Sequence, residues 1–226
     1  MSDEHHQESA TGEDAQRRQR IAKVEAMRVR GAEPYPVRFS PDATAADLLR
    51  EHGDLAPGTE TGHSVSVAGR LVGLRDIGKL IFAVIQDGSG RIQLFVDRSV
   101  LGDEFDAFAD LDLGDWAGAS GEVITTRRGE LSVRVESFAL LAKSLRPLPE
   151  KWHGLQDQET RFRRRYLDLV ANEESRRVFA ARAVMIRSLR DSFTARGFVE
   201  VETPMLQSQP GGALARPFVT PVSYTH

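Results

Sequence analysis

The stretch LIFAVIQDGSGRIQLFV, residues 80–96, holds the side chains best placed for chemistry. It reads as two strands joined by a tight Gly-containing turn. If Ile81, Ala83 and Ile85 face a core, alternation turns Phe82 outward. The same rule buries Ile92, Leu94 and Val96 and exposes Gln93. A ring and an amide then stand on adjacent strands of a wet face. A ring on such a face can stack an unpaired base. An amide beside it can donate to and accept from a base edge. Arg75, closing the preceding strand, can add charge, and Phe95 can extend the platform. The alternative is that Phe82 packs under a neighbouring segment; alternation alone leaves both open.

Two further groups invite a chemical reading. Arg17, Arg18, Arg20, Lys23, Arg28 and Arg30 crowd one segment in which Ile21 and Val24 recur at helical spacing. Such a helix either presents a solvated face or lies against phosphates. Arg161, Arg163, Arg164 and Arg165 form a second basic cluster. Glu200 and Glu202 share one face of an expected strand, where a solvated or subunit-facing edge outweighs an acid pair. His5 and His6 sit in an acidic, polar tail and do not make a metal site. The 226 residues contain no cysteine, which removes disulfides and thiolate metal sites, and the net charge is only −3. No apolar run approaches a membrane span and no signal peptide is evident, so a cytoplasmic protein without membrane partners is expected.

The elements that must hold these residues follow from patterning. Residues 1–13 read as a disordered tail, and residues 14–60 as a helical extension with a basic helix, the extended EPYPVRF and a short helix at Ala45–His52. Residues 61–146 read as strand, strand, strand, helix, strand, strand, with the helix set by Leu101, Phe105, Phe108 and Leu111. That is the order of an OB-fold, a five-stranded Greek-key barrel that binds oligonucleotides on the face of strands 2 and 3. Residues 147–226 open on a Pro-rich boundary. A long helix is expected from Asn172, a good N-cap, to a stop at Gly197, and FVEVETP should then form a strand. The fold class is thus α+β, mainly β.

The strings AGRLVGLRDIGKLIFAVIQDGSGRIQLFV, LGDWAGASGEV, RRGELSV, SLRPLPEKWHGL, RYLDL, NEESRRVF, RGFVEVETP and PGGALARPF occur in order. Together they resemble the N-terminal portion of class II lysine–tRNA ligases, from about residue 64 to residue 220. The resemblance implies that the barrel binds the anticodon of tRNA, with tRNA-Lys as partner. Phe82 would stack the central uridine, with Gln93, Arg75 and Arg70 reading it. Arg17, Arg18 and Lys23 would meet the tRNA backbone. The long helix and RGFVEVETP match the family's motif 1, which implies a homodimer surface including Phe198, Val199, Val201 and Pro204. Gly211 and Gly212 match a segment whose backbone approaches the substrate lysine.

The likeness fades after Thr220. The segments bearing motifs 2 and 3, which grip ATP and Mg2+ in the complete enzyme, are not in residues 1–226. This incomplete piece of a class II catalytic domain is expected to hold no catalytic residue, metal or cofactor of its own. A truncated or frameshifted product, or a partial gene model, is the expected origin. A stand-alone OB module for tRNA or other single-stranded nucleic acid is the alternative, and an inactive dimerising fragment is another.

Overall fold

The computed structural model describes residues 2–149, 155 and 157–204. The chain divides into two compact units, with the boundary after residue 156.

The first unit begins with helix α1, Ser2–Val29. It extends back through the segment expected to be disordered; that segment contains no proline and only one glycine to oppose a helix. Helix α2, Ala45–His52, matches the expectation and is capped by Thr44, whose side chain accepts from the Asp47 amide. Strands β1 (Glu60–Asp76), β2 (Leu80–Gln86), β3 (Arg91–Asp97), β4 (Trp116–Thr125) and β5 (Leu131–Ala142) close a barrel in the order β1-β2-β3-β5-β4. All pairs are antiparallel except β3 with β5.

Strand β1 closes the barrel because it is long enough to serve two neighbours. Its first half pairs with β4 and its second half with β2, with a bulge between Leu71 and Gly73. At the handover, a side chain on Gly69 would lie 2.8 Å from the Gln86 carbonyl oxygen, so the strand needs a glycine there.

The core forms where alternation placed it. Leu71, Ile81, Ala83, Leu94, Val96, Val123, Val133 and Val135 are fully buried. The helix expected over Leu101–Leu111 is broken. Helix α3, Arg98–Leu101, ends at Gly102, whose φ of 61° lies in the left-handed region; a 3-10 turn follows, and helix α4 spans Phe105–Ala109. Leu101, Phe105, Phe108 and Leu111 are still buried, so the apolar spacing holds while the helix that carries it does not. Phe39, from EPYPVRF, packs its ring on β4; a side chain at Gly118 would meet it at 2.5 Å.

In the second unit, helices α5 (Gln158–Arg163), α6 (Arg165–Ala171) and α7 (Glu173–Ala195) follow one another. Asn172 sits at the N-cap position of α7, but its side chain makes no cap bond there and donates instead to Asp168, at 2.6 Å. The helix ends in a Schellman motif. The Gly197 amide, at φ 84°, donates to the Thr194 carbonyl and the Phe198 amide to the Phe193 carbonyl. The Phe193 and Phe198 rings meet edge to face, 5.4 Å apart. The strand expected at 198–204 does not form. A strand needs a neighbour to complete its ladder, and the described residues of this unit offer none.

Candidate nucleic-acid interface

The barrel's register assembles the site. Arg75 of β1 lies opposite Phe82 of β2, Phe82 opposite Phe95 of β3, and Phe95 opposite Arg134 of β5. All four stand at outward positions, so one row reads Arg, Phe, Phe, Arg across four strands. The next row reads Gly73, Val84, Gln93, Ser132. Gln93 therefore stands on the diagonal from Phe82, at about 7–8 Å for such neighbours. Phe82 and Gln93 are half-buried, as edges of a sheet face rather than parts of the core.

The two rings are not parallel. Phe82 and Phe95 meet edge to face, with centroids 5.4 Å apart and planes at 67°. One ring thus braces the other. Gln93 Nε2 donates to Ser132 Oγ at 2.8 Å, and Ser132 Oγ donates to the Glu130 carbonyl at 3.1 Å.

Charge is distributed unevenly along the row. Arg75 is exposed and forms no ion pair among the described residues. Arg134 lies between two carboxylates, with Glu60 at 2.7 Å and a second pair to Glu122. Burial acts against its charge, but the bonds to Glu60 and Glu122 outweigh this and hold the guanidinium above its ordinary pKa.

Arg70 does not join the row. It lies opposite Gln86, four residues from Phe82 along β2 and so about 13 Å away. Its guanidinium donates to the Gly114 carbonyl at 3.0 Å and sits 5.2 Å from the Trp116 ring centre. Burial there draws its pKa down.

The basic helix divides in two. Arg17 and Arg18 are exposed and unpaired among the described residues. Lys23 and Arg20 face the barrel. Lys23 Nζ donates to the Asp110 carbonyl at 2.8 Å and pairs with the carboxylates of Asp110 at 3.0 Å and Asp112 at 3.2 Å. Burial disfavours its charge, yet these partners outweigh burial and raise its pKa. Arg20 donates to the Ser144 and Arg146 carbonyls, both at 3.1 Å. Beneath them the buried Lys143 bonds Asp115 at 2.7 Å and also Asp112. Lys23 is thus spent on holding α1 to the barrel.

In the second unit Phe198, Val199 and Val201 are 62%, 82% and 72% exposed, and Pro204 is exposed as well. Gly211 and Gly212 lie outside the described residues. Glu200, half of the conceivable acid pair, bonds Arg190 at 2.9 Å. The arginine cluster turns inward in part: fully buried Asp168 accepts from Arg161 at 2.8 Å, Arg165 at 2.5 Å and Asn172. Burial alone would raise the Asp168 pKa; these donors and Ser175 push it far below the carboxylate range.

Sequence reasoning missed Arg134, Ser132 and the Asp112–Asp115–Lys143 cluster. Alternation in LSVRV points Ser132 and Arg134 outward, so a signal existed for the first two. The cluster had none, because Lys143 follows β5, far along the chain from the loop that carries Asp112 and Asp115.

Known proteins resemble both units. A model for OB-fold nucleic acid binding domains matches residues 65–141, and one for class II tRNA synthetases (D, K and N) matches residues 157–226. A lysine–tRNA ligase of Magnetococcus marinus is 49% identical over 204 residues, covering 89% of this chain and 41% of the relative. One from Synechococcus sp. (strain CC9311) is 47% identical over 205 residues, covering 90% and 42%. One from Dehalococcoides mccartyi is 45% identical over 204 residues, covering 89% and 41%. The chain spans about two-fifths of the length of these curated relatives.

Proposed function

For a chain that belongs to the class II tRNA synthetases, and within them to the lysine–tRNA ligases, we propose that the outer face of the barrel reads the anticodon loop of a lysine tRNA. The observation that carries this reading is the row Arg75–Phe82–Phe95 with Gln93 on its diagonal. A base unstacked from the loop lies on Phe82, whose plane Phe95 braces. Gln93 addresses its hydrogen-bonding edge, and Arg75 meets the phosphate or base from the open side. Arg17 and Arg18, free on α1, supply phosphate contacts; Lys23 holds the helix that carries them.

The larger activity is part of the same proposal: ATP-dependent activation of lysine and its transfer to tRNA. Among the described residues, no group of three or more His, Asp or Glu side chains converges to hold a metal ion. Residues 1–226 alone are expected to give no lysine-dependent pyrophosphate exchange; exchange above background would overturn that. Among the described residues, no helix is long and apolar enough to cross a membrane.

Binding to a UUU anticodon stem-loop tests the reading. Phe82→Ala should weaken it by about 1–3 kcal/mol at every salt concentration, the worth of one base on an aromatic ring. Equal affinity for unrelated stem-loops would argue against base reading. Self-association belongs to the reading too, supported by the exposed Val178, Phe179, Met185, Leu189 and Phe193 of α7. Light scattering behind size exclusion should give twice the chain mass.

A further inference from the structure

Ser132 is fully buried, yet it is a polar residue on the outward side of β5, facing Gln93 across the parallel β3–β5 pair. Its hydroxyl has one proton. The Glu130 carbonyl, 3.1 Å away, can only accept, so that proton goes to it. The hydroxyl oxygen is then left to accept, and the group it meets, at 2.8 Å, must be a donor. An amide can turn either its nitrogen or its oxygen toward a neighbour, and the surrounding network decides which. Here the nitrogen preserves both of the hydroxyl's bonds, whereas the oxygen would take the proton that the Glu130 carbonyl accepts.

The chain of bonds continues into the β4–β5 turn. The Glu130 carbonyl also accepts from the Thr126 amide at 2.9 Å. The Glu130 amide bonds the Thr126 hydroxyl at 3.1 Å, and Gly129, at φ 84°, closes the turn. The direction of the Gln93 amide is thus anchored to a backbone turn rather than left to rotate.

We propose that Ser132 is a positioning residue for base specificity: by fixing the amide of Gln93 in one sense, it lets Gln93 accept uracil and refuse cytosine. This rests on the anticodon-reading function proposed above. Uracil presents an acceptor, O4, beside a donor, N3–H. Cytosine presents the reverse, the N4 amino donor beside the N3 acceptor. An amide free to flip satisfies either base. An amide held with its nitrogen toward Ser132 offers its oxygen and its remaining N–H in one order only, which matches one base and opposes the other. Gln93 makes the contact, and Ser132 decides which contact it can make.

The test compares two stem-loops that differ only in U or C at the middle anticodon base, titrated against the 226-residue chain. The wild type should prefer U by roughly tenfold or more, the scale of a bidentate base contact. Ser132→Ala should bring the two affinities to within about threefold, chiefly by improving the C loop. In a Gln93→Ala background, Ser132→Ala should change neither affinity, since a residue acting through another has no effect once that other is gone. A Ser132→Ala chain that weakens on both loops equally and keeps the wild-type preference overturns the inference while leaving base reading intact. A wild type that binds both loops equally overturns the base reading and the inference with it. Should Ser132→Ala fail to fold, NMR of the wild type decides. A nuclear Overhauser contact between a Gln93 side-chain N–H and the Ser132 β-protons is expected; an amide with its oxygen toward Ser132 overturns the proposal.

Discussion

The two units of this chain solve the problem of stability differently. The barrel closes on itself, has no open sheet edge between its strands, and buries a continuous apolar core from β1 through β5. The second unit has no comparable core among its described residues. Its buried side chains are Asp168 and Ser175, while Val184 is 67% exposed and Met185 58%. Hydrophobic burial holds the first, and an ionic knot around one carboxylate holds the described part of the second. The barrel, with the helices packed on it, gives the proposed reading surface a rigid support. The apolar side chains that α7 leaves exposed among the described residues are the ones that the proposed self-association would cover.

The sharpest way to break this contrast is a pair of truncations. Phe108 is fully buried and packs edge to face against Phe138, with centroids 5.0 Å apart. Phe108→Ala should cost the barrel about 3–5 kcal/mol. Leu189, on α7, is 53% exposed. Leu189→Ala should move the stability of the monomer, at concentrations below self-association, by no more than about 0.5 kcal/mol. Chemical denaturation of both variants checks the pair, and equal losses would end the distinction.

Next in size is the knot itself. Asp168→Ala leaves Arg161, Arg165, Asn172 and Ser175 facing an empty centre. A loss of about 3 kcal/mol is expected, confined to the second unit and read by hydrogen exchange along α7, with the barrel's protection unchanged. The pH dependence has a definite sign. The folded pKa of Asp168 is depressed, so its contribution is fully present above the unfolded value of about 3.9. It fades as the pH falls from there toward the lower folded value. Protection factors along α7, with the intrinsic pH dependence of amide exchange divided out, should therefore be steady from neutrality to about pH 4 and fall below it. Loss of protection well above that, at about pH 5 to 7, would point to another group.

The same contrast explains what could be read from sequence. Alternation in β2 and β3 placed Ile81, Ala83, Leu94 and Val96 inside and Phe82 and Gln93 outside, because a closed barrel settles each residue's side locally. The row itself was less legible. Its partner strand β5 lies far along the chain and pairs in parallel with β3, so Ser132 and Arg134 could not be set beside Gln93 and Phe95 by adjacency. The break at Gly102 escaped because apolar spacing records which residues are buried, not whether one helix carries them. Lys23 read as a phosphate contact because charge on a helix does not reveal its partners; Asp110 and Asp112 come from a loop with no motif. At 198–204 the residues favour a strand, but a strand is a property of its neighbours as well as its own sequence. The family resemblance added the candidate readers and the motif 1 surface, which patterning left open.

Smaller effects separate anchoring charge from binding charge within the first unit. Lys23→Ala removes three interactions that tie α1 to the loop at Asp110 and Asp112. It should loosen α1 by about 1–3 kcal/mol, as hydrogen bonds to charged groups do. Proteolysis or exchange within α1 would report it, with β-strand protection intact. Arg17→Ala with Arg18→Ala should do the opposite. These side chains are exposed and form no ion pair among the described residues, so stability should stay within about 0.5 kcal/mol. If they meet tRNA phosphates, affinity should fall uniformly across stem-loop sequences, and the slope of log affinity against log salt should flatten by about one for each phosphate no longer neutralised. That flattening is the discriminating observation, because an arginine that merely supports the helix would lower affinity without changing how many counterions binding releases. An unchanged slope in the Arg17, Arg18 variant would assign α1 to the support of the barrel alone and leave the face of β2 and β3 as the whole of the RNA contact.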